Sequence, residues 1–397
     1  MRWPDGFWWG TGASSTQSEG AAPASDWLDW EAAGRAPRSG DGSGFATRYA
    51  EDFAVYSSLG LTHHRLSIDW ARIEPEPGRR DPAAIAHYRD VLTAARDAGI
   101  APWVTLFHFT SPRWFTSEGG FLVDANRTGA WARHVDFVAD TFGDLVFGWK
   151  PMNEINLWPV LAYRGGGLPP GHDDPDELAL AFESLHLAKA EAAVRLRATA
   201  RPVSSIYSLS PAVAQDDTPE TADAVRRFEA RLWDPWIGLL RDGVLRVPRR
   251  APVERPDLVG CFDLLGFSYY AAFGLQAGRP AVHPPGADVS PLGYGIWAGG
   301  LGLVLDRLHA ELPGLPIVVA EYGIGTDDDT IRAQYLRDGL AITHDAIARG
   351  VDVRGFFHWT GVDNYEWLHG YDVAFGIIDR DRTIRESARV LQREALA

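Results

Sequence analysis

The sequence KPMNEIN at residues 150–156 places a carboxylate, Glu154, directly after a predicted apolar strand. A long loop rich in glycine, proline and aromatic residues follows, and loops at the ends of rigid strands often carry functional side chains. A second carboxylate has the same setting, because the buried-strand pattern of residues 316–320 leads directly into Glu321. The two glutamates are far apart in the chain, so they meet only in a fold that gathers many strand ends.

Short apolar or β-branched runs alternate with helix-period segments along the whole chain. Strands are predicted at residues 7–13, 62–69, 101–108, 147–154, 202–210, 263–270, 316–322 and 355–362. Helices are predicted at residues 45–59, 84–98, 129–142, 176–199, 218–241, 301–312, 328–348 and 384–396. This alternation predicts an α/β fold, the (β/α)8 TIM barrel, in which the chemistry lies at the C-terminal ends of the strands.

The alternation is not interrupted by a linker, so we predict one catalytic domain over residues 1–397. The stretch 278–300, rich in proline and glycine, is predicted to be an oversized loop after the sixth strand. An open, doubly wound sheet is the main alternative fold. It is disfavoured because the nearest glycine-rich turn, GTGAS at residues 10–14, lacks the third glycine of a dinucleotide-binding motif.

The composition is that of a globular protein with a large core, since 46% of the residues are hydrophobic and 23% are charged. A net charge of −15 argues against nucleic acid or an anionic membrane as a partner. The single cysteine, Cys261, excludes an internal disulfide. Without a secretory signal pattern or a long apolar run, the sequence predicts a soluble cytoplasmic protein. The oligomeric state is left open.

Polar and aromatic side chains collect at the predicted strand ends. They are Gln17, Glu19, Arg65, Asp69, His108, Asn153, Glu154, Tyr269, Tyr270, Glu321, Tyr322, Trp359, Asp363, Asn364, Glu366 and Trp367. A Ser-His-Asp or Cys-His set does not stand out among them. The adjacent His63 and His64 point to opposite faces of a strand, so we predict neither a metal site nor a cofactor. Two glutamates among amides, hydroxyls and indoles are the groups that acid–base cleavage of an acetal requires.

Several sequence blocks resemble glycoside hydrolase family 1, the retaining β-glucosidases and β-galactosidases, along nearly the whole chain. The blocks are FWWGTGASSTQSEGA at 7–21, HRLSIDWARI at 64–73, NE at 153–154, EYG at 321–323 and a tail from Trp359 through DNYEW at 363–367 to FG at 375–376. They occur in the order in which the family has them. The resemblance implies a TIM barrel that hydrolyses β-linked glycosides with retention of configuration.

The resemblance also implies roles for individual residues. Glu154 would be the general acid and then the general base, and Glu321 the nucleophile, with roughly 5–5.5 Å between their carboxyl groups. Arg65 is expected in the barrel interior as a supporting residue that lowers the pKa of Glu321. Tyr270 matches the tyrosine that hydrogen-bonds the nucleophile. The substrate-binding residues implied by the resemblance are Gln17, His108, Asn153, Tyr270, Trp359, Glu366 and Trp367.

The chain departs from the family pattern beside these residues. Ile155 replaces the proline that usually follows the acid, and Tyr322 replaces the asparagine that usually follows the nucleophile. Ser268 stands where an asparagine usually precedes the tyrosine pair, and Phe109 where a tryptophan is common. Because phenylalanine donates no hydrogen bond, Phe109 puts the usual glucose preference in question. Glu366 is kept, and its carboxylate would repel a 6-phosphorylated sugar.

The sequence therefore predicts a β-glucosidase-like hydrolase of a neutral monosaccharide β-glycoside, with galactose and fucose also open as the sugar. One alternative is a transglycosidase that passes the sugar to an alcohol, for which Trp158, Tyr163 and Trp297 are candidate acceptor-side residues. The other alternative is a glycoside-binding barrel without catalysis. Product analysis with an alcohol present separates the first alternative from hydrolysis, and any turnover excludes the second.

Overall fold

A computed structural model describes residues 2–397 and contains eight parallel strands that curl into a barrel. The strands are Trp8–Gly12 (β1), His63–Ser67 (β2), Ala101–Phe107 (β3), Gly148–Met152 (β4), Tyr207–Ser208 (β5), Leu265–Tyr269 (β6), Ile317–Tyr322 (β7) and Val353–His358 (β8). Every one of them overlaps a predicted strand, and β8 begins two residues before its predicted range. The predicted (β/α)8 barrel is therefore confirmed.

Neighbouring strands pair in the order β4, β3, β2, β1, β8, β7, β6, β5. The barrel closes between β4 and β5 through a few backbone hydrogen bonds. The amide of Trp149 donates to the Pro202 carbonyl (2.9 Å), and the amide of Ser204 donates to the Trp149 carbonyl (2.8 Å). The amide of Glu154 donates to the Ile206 carbonyl (3.2 Å), so one of the two predicted catalytic residues lies at this seam.

Helices cover the outside of the barrel between successive strands. The α-helices are Ser15–Glu19, Asp26–Ala32, Phe45–Ser58, Trp70–Ile73, Pro82–Asp97, Arg113–Ser117, Ala132–Phe142, Trp158–Tyr163, Pro175–Leu196, Pro219–Leu232, Asp234–Asp242, Gly299–Glu311, Asp329–Ala348 and Glu386–Ala395. A π-helix, Asn126–Trp131, and three short 3-10 helices, Gly120–Leu122, Arg197–Thr199 and Pro256–Leu258, complete the set. Between residues 2 and 397, no helix combines the length and the apolar character needed to cross a membrane.

Two local predictions differ from the structure. The helix predicted at 218–241 is two helices that meet at Trp233, because Pro235 has no amide hydrogen to donate and its ring obstructs a continuous helix. The loop predicted at 278–300 contains a strand, Arg279–Ala281. It forms a small sheet with Phe273–Gln276, which pairs in turn with Ala212–Ala214.

The apolar core has two main parts, and a third, small cluster consists of Trp359, Val373 and Phe375. The larger part packs between the strands and the helices, as in any barrel with an outer helical layer. A smaller cluster combines side chains from the barrel strands and their flanks, and fills the barrel interior: Trp103, Ile206, Leu264, Val318, Ala320 and Phe357. The polar residues Arg65 and Lys150, both fully buried, also lie inside the barrel.

Candidate active site

A pocket of about 260 Å³ lies at the C-terminal ends of the barrel strands. It gathers nine residues predicted from the sequence: Gln17, His108, Asn153, Glu154, Tyr270, Glu321, Trp359, Glu366 and Trp367. Arg65, the remaining predicted residue, lies beneath the pocket and is fully buried. The fold thus brings together side chains from both ends of the chain.

A β-bulge in β7 sets the direction of Glu321. On the neighbouring β6, Val319 pairs with Phe267, but the next matched pair is Glu321 with Ser268, so β7 carries one extra residue there. Bulges of this kind bend a strand locally and re-aim a side chain, and they are common beside active sites. The bulge helps to turn the Glu321 carboxylate toward the pocket.

Glu321 accepts hydrogen bonds on both carboxylate oxygens and is only 3% exposed. Arg65 Nη2 donates to Oε1, and the Tyr270 hydroxyl donates to Oε2. Burial has the largest effect and raises the pKa of Glu321 overall, while the charge of Arg65 and the hydrogen bond from Tyr270 oppose the increase. A guanidinium and a phenol that both donate to one carboxylate favour its ionised form.

Glu154 has the opposite electrostatic setting. Burial, followed by the negative charge of Glu321, raises the pKa of Glu154 to about 8. The hydroxyl of Ser268, which donates to Glu154 Oε1, and the charges of Arg65 and Lys189 oppose this increase. The raised pKa favours the protonated form of Glu154, whereas the donors around Glu321 favour a carboxylate there.

Two residues beside the pocket have left-handed backbone conformations that favour glycine. Glu154 has a φ of 39° and Phe109 a φ of 72°. Such a conformation costs a non-glycine residue on the order of 1–3 kcal/mol and often marks a functional site. Phe109 lines the pocket, so the aromatic side chain that departs from the family pattern does face the site.

Arg65 also organises the polar floor of the pocket. Its Nη1 lies 3.3 Å from Asn153 Oδ1 and 3.1 Å from His108 Nδ1. Because a guanidinium only donates, Nδ1 of His108 is the accepting nitrogen. Burial and the charge of Arg65 hold the pKa of His108 well below its usual range, so its imidazole is neutral.

Gln17 and Glu366 form a polar pair on the pocket wall. Gln17 Nε2 donates to Glu366 Oε2 (3.2 Å) and to the backbone carbonyl of Tyr365 (3.0 Å). Burial and the charge of Glu321 raise the pKa of Glu366 to about 8, against the effect of the hydrogen bond from Gln17. In its protonated form, which the raised pKa favours, Glu366 can both donate and accept hydrogen bonds.

Aromatic rings form another wall of the pocket. The ring of His108 stacks on Trp359 with 5.8 Å between centroids, and on Trp367 with 6.2 Å. The guanidinium of Arg65 lies 5.1 Å from the centre of the Trp359 ring. Indole faces of this kind suit the apolar C–H surface of a sugar ring.

Apolar side chains that the sequence did not single out also line the pocket. They are Leu157, Leu161, Ala271, Phe273, Leu292 and Phe375, together with the hydroxyl residues Ser208, Ser210 and Tyr294. The acceptor-side residues predicted from the sequence, by contrast, do not line it. Trp158 packs edge-on against Phe107 at 5.4 Å and lies with Tyr163 beside a different cavity, and Trp297 packs against His283 at 4.7 Å.

Two departures from the family pattern pack away from the pocket. Ile155 is fully buried in the core. Tyr322 stacks on Tyr335 with 4.6 Å between ring centroids, and its hydroxyl donates to the Tyr335 carbonyl (2.7 Å). Adjacent residues of a strand point to opposite faces, so Tyr322 packs outward while Glu321 points inward. These two substitutions therefore alter packing and not the pocket surface.

Two buried lysines lie close to the site and were not predicted. Lys150 Nζ donates to Ser204 Oγ (3.2 Å) inside the barrel. Lys189 Nζ donates to the Ile206 carbonyl, the same oxygen that accepts from the amide of Glu154. Burial lowers the pKa of both lysines well below the usual range. Single lysines within apolar segments gave no sequence signal for these positions.

The titratable side chains of residues 2–397 form no cluster of three or more His, Cys, Asp or Glu that could hold a metal ion. The site therefore consists of two carboxyl groups with different hydrogen-bond partners, surrounded by polar and aromatic side chains in a strand-end pocket. This fold and this site define the class of barrel-shaped glycoside hydrolases.

Within that class, the chain belongs to glycosyl hydrolase family 1, whose family model matches residues 1–237 and 281–395. Thermostable beta-glucosidase B of Thermobispora bispora is 32% identical, over 98% of this chain and 89% of that protein. The bifunctional beta-D-glucosidase/beta-D-fucosidase of Bifidobacterium breve is 29% identical, over 98% of this chain and 96% of that protein. The GH1 beta-glucosidase structure from Exiguobacterium antarcticum B7 aligns with a TM-score of 0.92 at 25% identity, over 99% of this chain and 98% of that one.

Proposed function

We propose that residues 1–397 act as one catalytic unit that hydrolyses a β-linked glycoside of a neutral monosaccharide, with retention of configuration. The observation that carries the proposal is the pair of glutamates in one pocket, with Arg65 and Tyr270 donating to Glu321 and burial raising the pKa of Glu154. A proton donor and a nucleophile are the two groups that double displacement at an acetal carbon needs.

In the first step, Glu154 transfers its proton to the glycosidic oxygen while a carboxylate oxygen of Glu321 bonds to the anomeric carbon. The bond from that carbon to the leaving group breaks, and the alcohol departs. The sugar is then held as an ester of Glu321, whose negative charge is lost. Because that charge is one cause of the raised pKa of Glu154, the pKa of Glu154 falls at this stage.

In the second step, the ionised Glu154 takes a proton from a water molecule, whose oxygen bonds to the anomeric carbon. The bond to Glu321 breaks, and both glutamates return to their starting states. Two inversions at one carbon give net retention. This mechanism requires roughly 5–5.5 Å between the two carboxyl groups.

The pocket chemistry supports a neutral sugar as the substrate. Lysine and arginine are absent from the pocket lining within residues 2–397, and Arg65 beneath it is engaged with Glu321. A phosphorylated sugar would therefore meet acidic side chains without a cation to bind it. Gln17 and Glu366 supply donors and acceptors for sugar hydroxyls. The names of the relatives from Thermobispora bispora and Bifidobacterium breve make a β-glucoside and a β-fucoside the first substrates to test.

The apolar side chains near Glu154 favour a leaving group of apolar character. Leu157 and Leu161 follow Glu154 in the chain, and Phe273 and Leu292 add to the same pocket. Such a surface would also bind an alcohol in place of water after the first step, which favours transglycosylation as a second candidate function. Both activities use the same pair of glutamates, and the products formed in the presence of an added alcohol distinguish them.

The experiment that tests the proposal measures nitrophenol release from nitrophenyl β-glucoside, β-fucoside, β-galactoside and β-xyloside by the wild type and by Glu321→Ala. We expect the wild type to turn over at least one of them and the variant to lose turnover. Added azide should restore nitrophenol release in Glu321→Ala, because the small anion can enter the space of the missing carboxylate and attack the anomeric carbon.

The isosteric variant Glu321→Gln is the matched control, because it removes the nucleophile but leaves little space for azide. It should remain inactive with azide present. Turnover by Glu321→Ala at the wild-type rate would refute the assigned nucleophile, and a wild type inactive on every glycoside of the panel would contradict the proposed substrate class.

A further inference from the structure

Two hydroxyl groups at the C-terminal end of strand β6 donate hydrogen bonds to the two glutamates, one to each. Ser268 Oγ donates to Glu154 Oε1, and the Tyr270 hydroxyl donates to Glu321 Oε2. Residues two apart along a strand point to the same face, so both hydroxyls project from β6 and its end into the barrel. Ser268 is moreover the register partner of Glu321 on β7 and is 1% exposed. A single strand thus touches both members of the pair.

The contact from Ser268 distinguishes the two oxygens of the Glu154 carboxyl group. Oε1 accepts the Ser268 hydroxyl, whereas Oε2 has no hydrogen-bond partner among residues 2–397. Glu154 lines the pocket, so Oε2 is the oxygen left open to a bound substrate. A serine hydroxyl has one hydrogen, and its other acceptor here, the Tyr207 carbonyl, is farther away at 3.4 Å.

We propose that Ser268 is a positioning residue for the general acid: by donating to Oε1, it keeps the proton of Glu154 on Oε2, where the leaving group can receive it. The proposal rests on the proposed function, in which Glu154 is the acid. If the proton moved to Oε1, Ser268 would have to rotate its hydrogen toward Tyr207, and the acidic proton would point into the barrel wall. The serine hydroxyl therefore determines which oxygen of Glu154 carries the proton, without contacting the substrate.

The same hydrogen bond acts again after the first step, when Glu154 has given up its proton. A donor on Oε1 stabilises the carboxylate, so Ser268 lowers the pKa of Glu154 in both steps. The other charged or titratable groups that face Glu154 are Glu321 on β7, Arg65 on β2, Lys189 on the helix Pro175–Leu196, and Tyr270 after β6. None of these four groups is replaced in a Ser268 variant, so a shift in the pKa of Glu154 reports the lost hydroxyl.

The test compares the wild type with Ser268→Ala on two β-glycosides of one sugar, a dinitrophenyl glycoside and a phenyl glycoside. The dinitrophenolate leaves without protonation, whereas the phenol requires the acid. We expect kcat/KM for the phenyl glycoside to fall roughly 10- to 100-fold, since the variant loses the hydrogen bond that stabilises the carboxylate forming on Glu154 as it gives up its proton. The value for the dinitrophenyl glycoside should stay near that of the wild type. The basic limb of the pH profile should move up by about 1–2 pH units.

A matched control and a rescue variant separate positioning from a structural role. Ser205→Ala also removes a buried serine hydroxyl, one that contacts the backbone of Gly266 on β6 and neither glutamate. It should leave the ratio of the two kcat/KM values unchanged. Ser268→Thr retains the hydroxyl and should recover the phenyl glycoside activity.

Equal losses on both glycosides, or an unmoved basic limb, would overturn the positioning role even if the enzyme was slower overall. A titration of Glu154 by carbon-13 NMR in the wild type and Ser268→Ala tests the same hydrogen bond without turnover. A higher pKa in the variant supports the proposal, and an equal pKa overturns it. Failure of the proposed function would give a different result. The wild type would be inactive on every glycoside, or Glu321→Ala would turn over at the wild-type rate, whatever the Ser268 variants do.

Discussion

Replacing Arg65 with methionine should make the nucleophile harder to ionise. Arg65 is fully buried, and its guanidinium donates to Glu321 Oε1. Methionine fills much of the same volume but has neither the charge nor the donors. In the variant, Glu321 keeps the hydrogen bond from Tyr270 and loses its cation, while the burial that raises its pKa remains.

The magnitude follows from the kind of contact removed. A hydrogen bond to a charged group stabilises that group by about 1.5–3 kcal/mol, and 1.36 kcal/mol corresponds to one pKa unit, so the pKa of Glu321 should rise by about 1–2 units. Glu321 acts as a nucleophile only when ionised. The acidic limb of the kcat/KM profile, which reports the free enzyme, should therefore move up by about 1–2 pH units.

The assay is kcat/KM against pH for a nitrophenyl glycoside that the wild type turns over. Arg332→Met is a suitable control, because it removes another buried guanidinium, one that contacts Asp329 and the Thr326 carbonyl instead of the glutamates. We expect its acidic limb to coincide with that of the wild type. An acidic limb of Arg65→Met at the wild-type pH would refute the reasoning, whatever the change in maximal rate.

Two further predictions concern charge and stability. Glu321→Gln removes a negative charge that raises the pKa of Glu154, so that pKa should fall below about 8 in a carbon-13 NMR titration; an unchanged value would mean that burial alone sets it. Asp52→Asn breaks a buried ion pair with Arg382, whose nitrogens lie 2.7 and 3.0 Å from the carboxylate, and should lower the free energy of unfolding by about 3–5 kcal/mol in urea. A loss below about 1 kcal/mol, typical of a surface pair, would contradict this.

The barrel and the polar side of the pocket could be predicted from the sequence because both depend on local signals. Each strand is a short apolar run with its own pattern, and a residue at the end of that run must lie at the end of the strand. The positions of Glu154 and Glu321 at the C-terminal edge of the barrel could therefore be predicted without knowing any tertiary contact. The resemblance to a family then supplied roles for the residues around them.

The contacts of Ser268 could not be predicted in the same way. The sequence marks this serine only as an unusual residue beside a tyrosine pair. Its partner Glu154 lies just after β4, far away in the chain, and the contact depends on the register of β6 against its neighbours β5 and β7. A bulge of one residue changes such a register, and single-sequence patterns do not reveal bulges.

The prediction that Trp158 and Tyr163 lie on the acceptor side of the pocket was wrong for a geometric reason. The sequence favoured the aromatic Trp158 and Tyr163, but the segment forms a helix, Trp158–Tyr163, directly after Glu154. Residues four apart share one side of a helix, so Leu157 and Leu161 both reach the pocket while Trp158 packs into the core. A helical reading of this segment would have identified the leucines.

The closure of the barrel between β4 and β5 gives the two glutamates different mechanical surroundings. Glu321 lies on β7, which is paired along both edges, whereas Glu154 follows β4 at the seam that a few backbone hydrogen bonds hold together. In the proposed mechanism, the nucleophile meets the same carbon atom twice, but the acid serves a departing alcohol and later an arriving water. The fully paired side of the barrel thus carries the group that needs a fixed distance, and the sparsely hydrogen-bonded seam carries the group that serves two partners in turn.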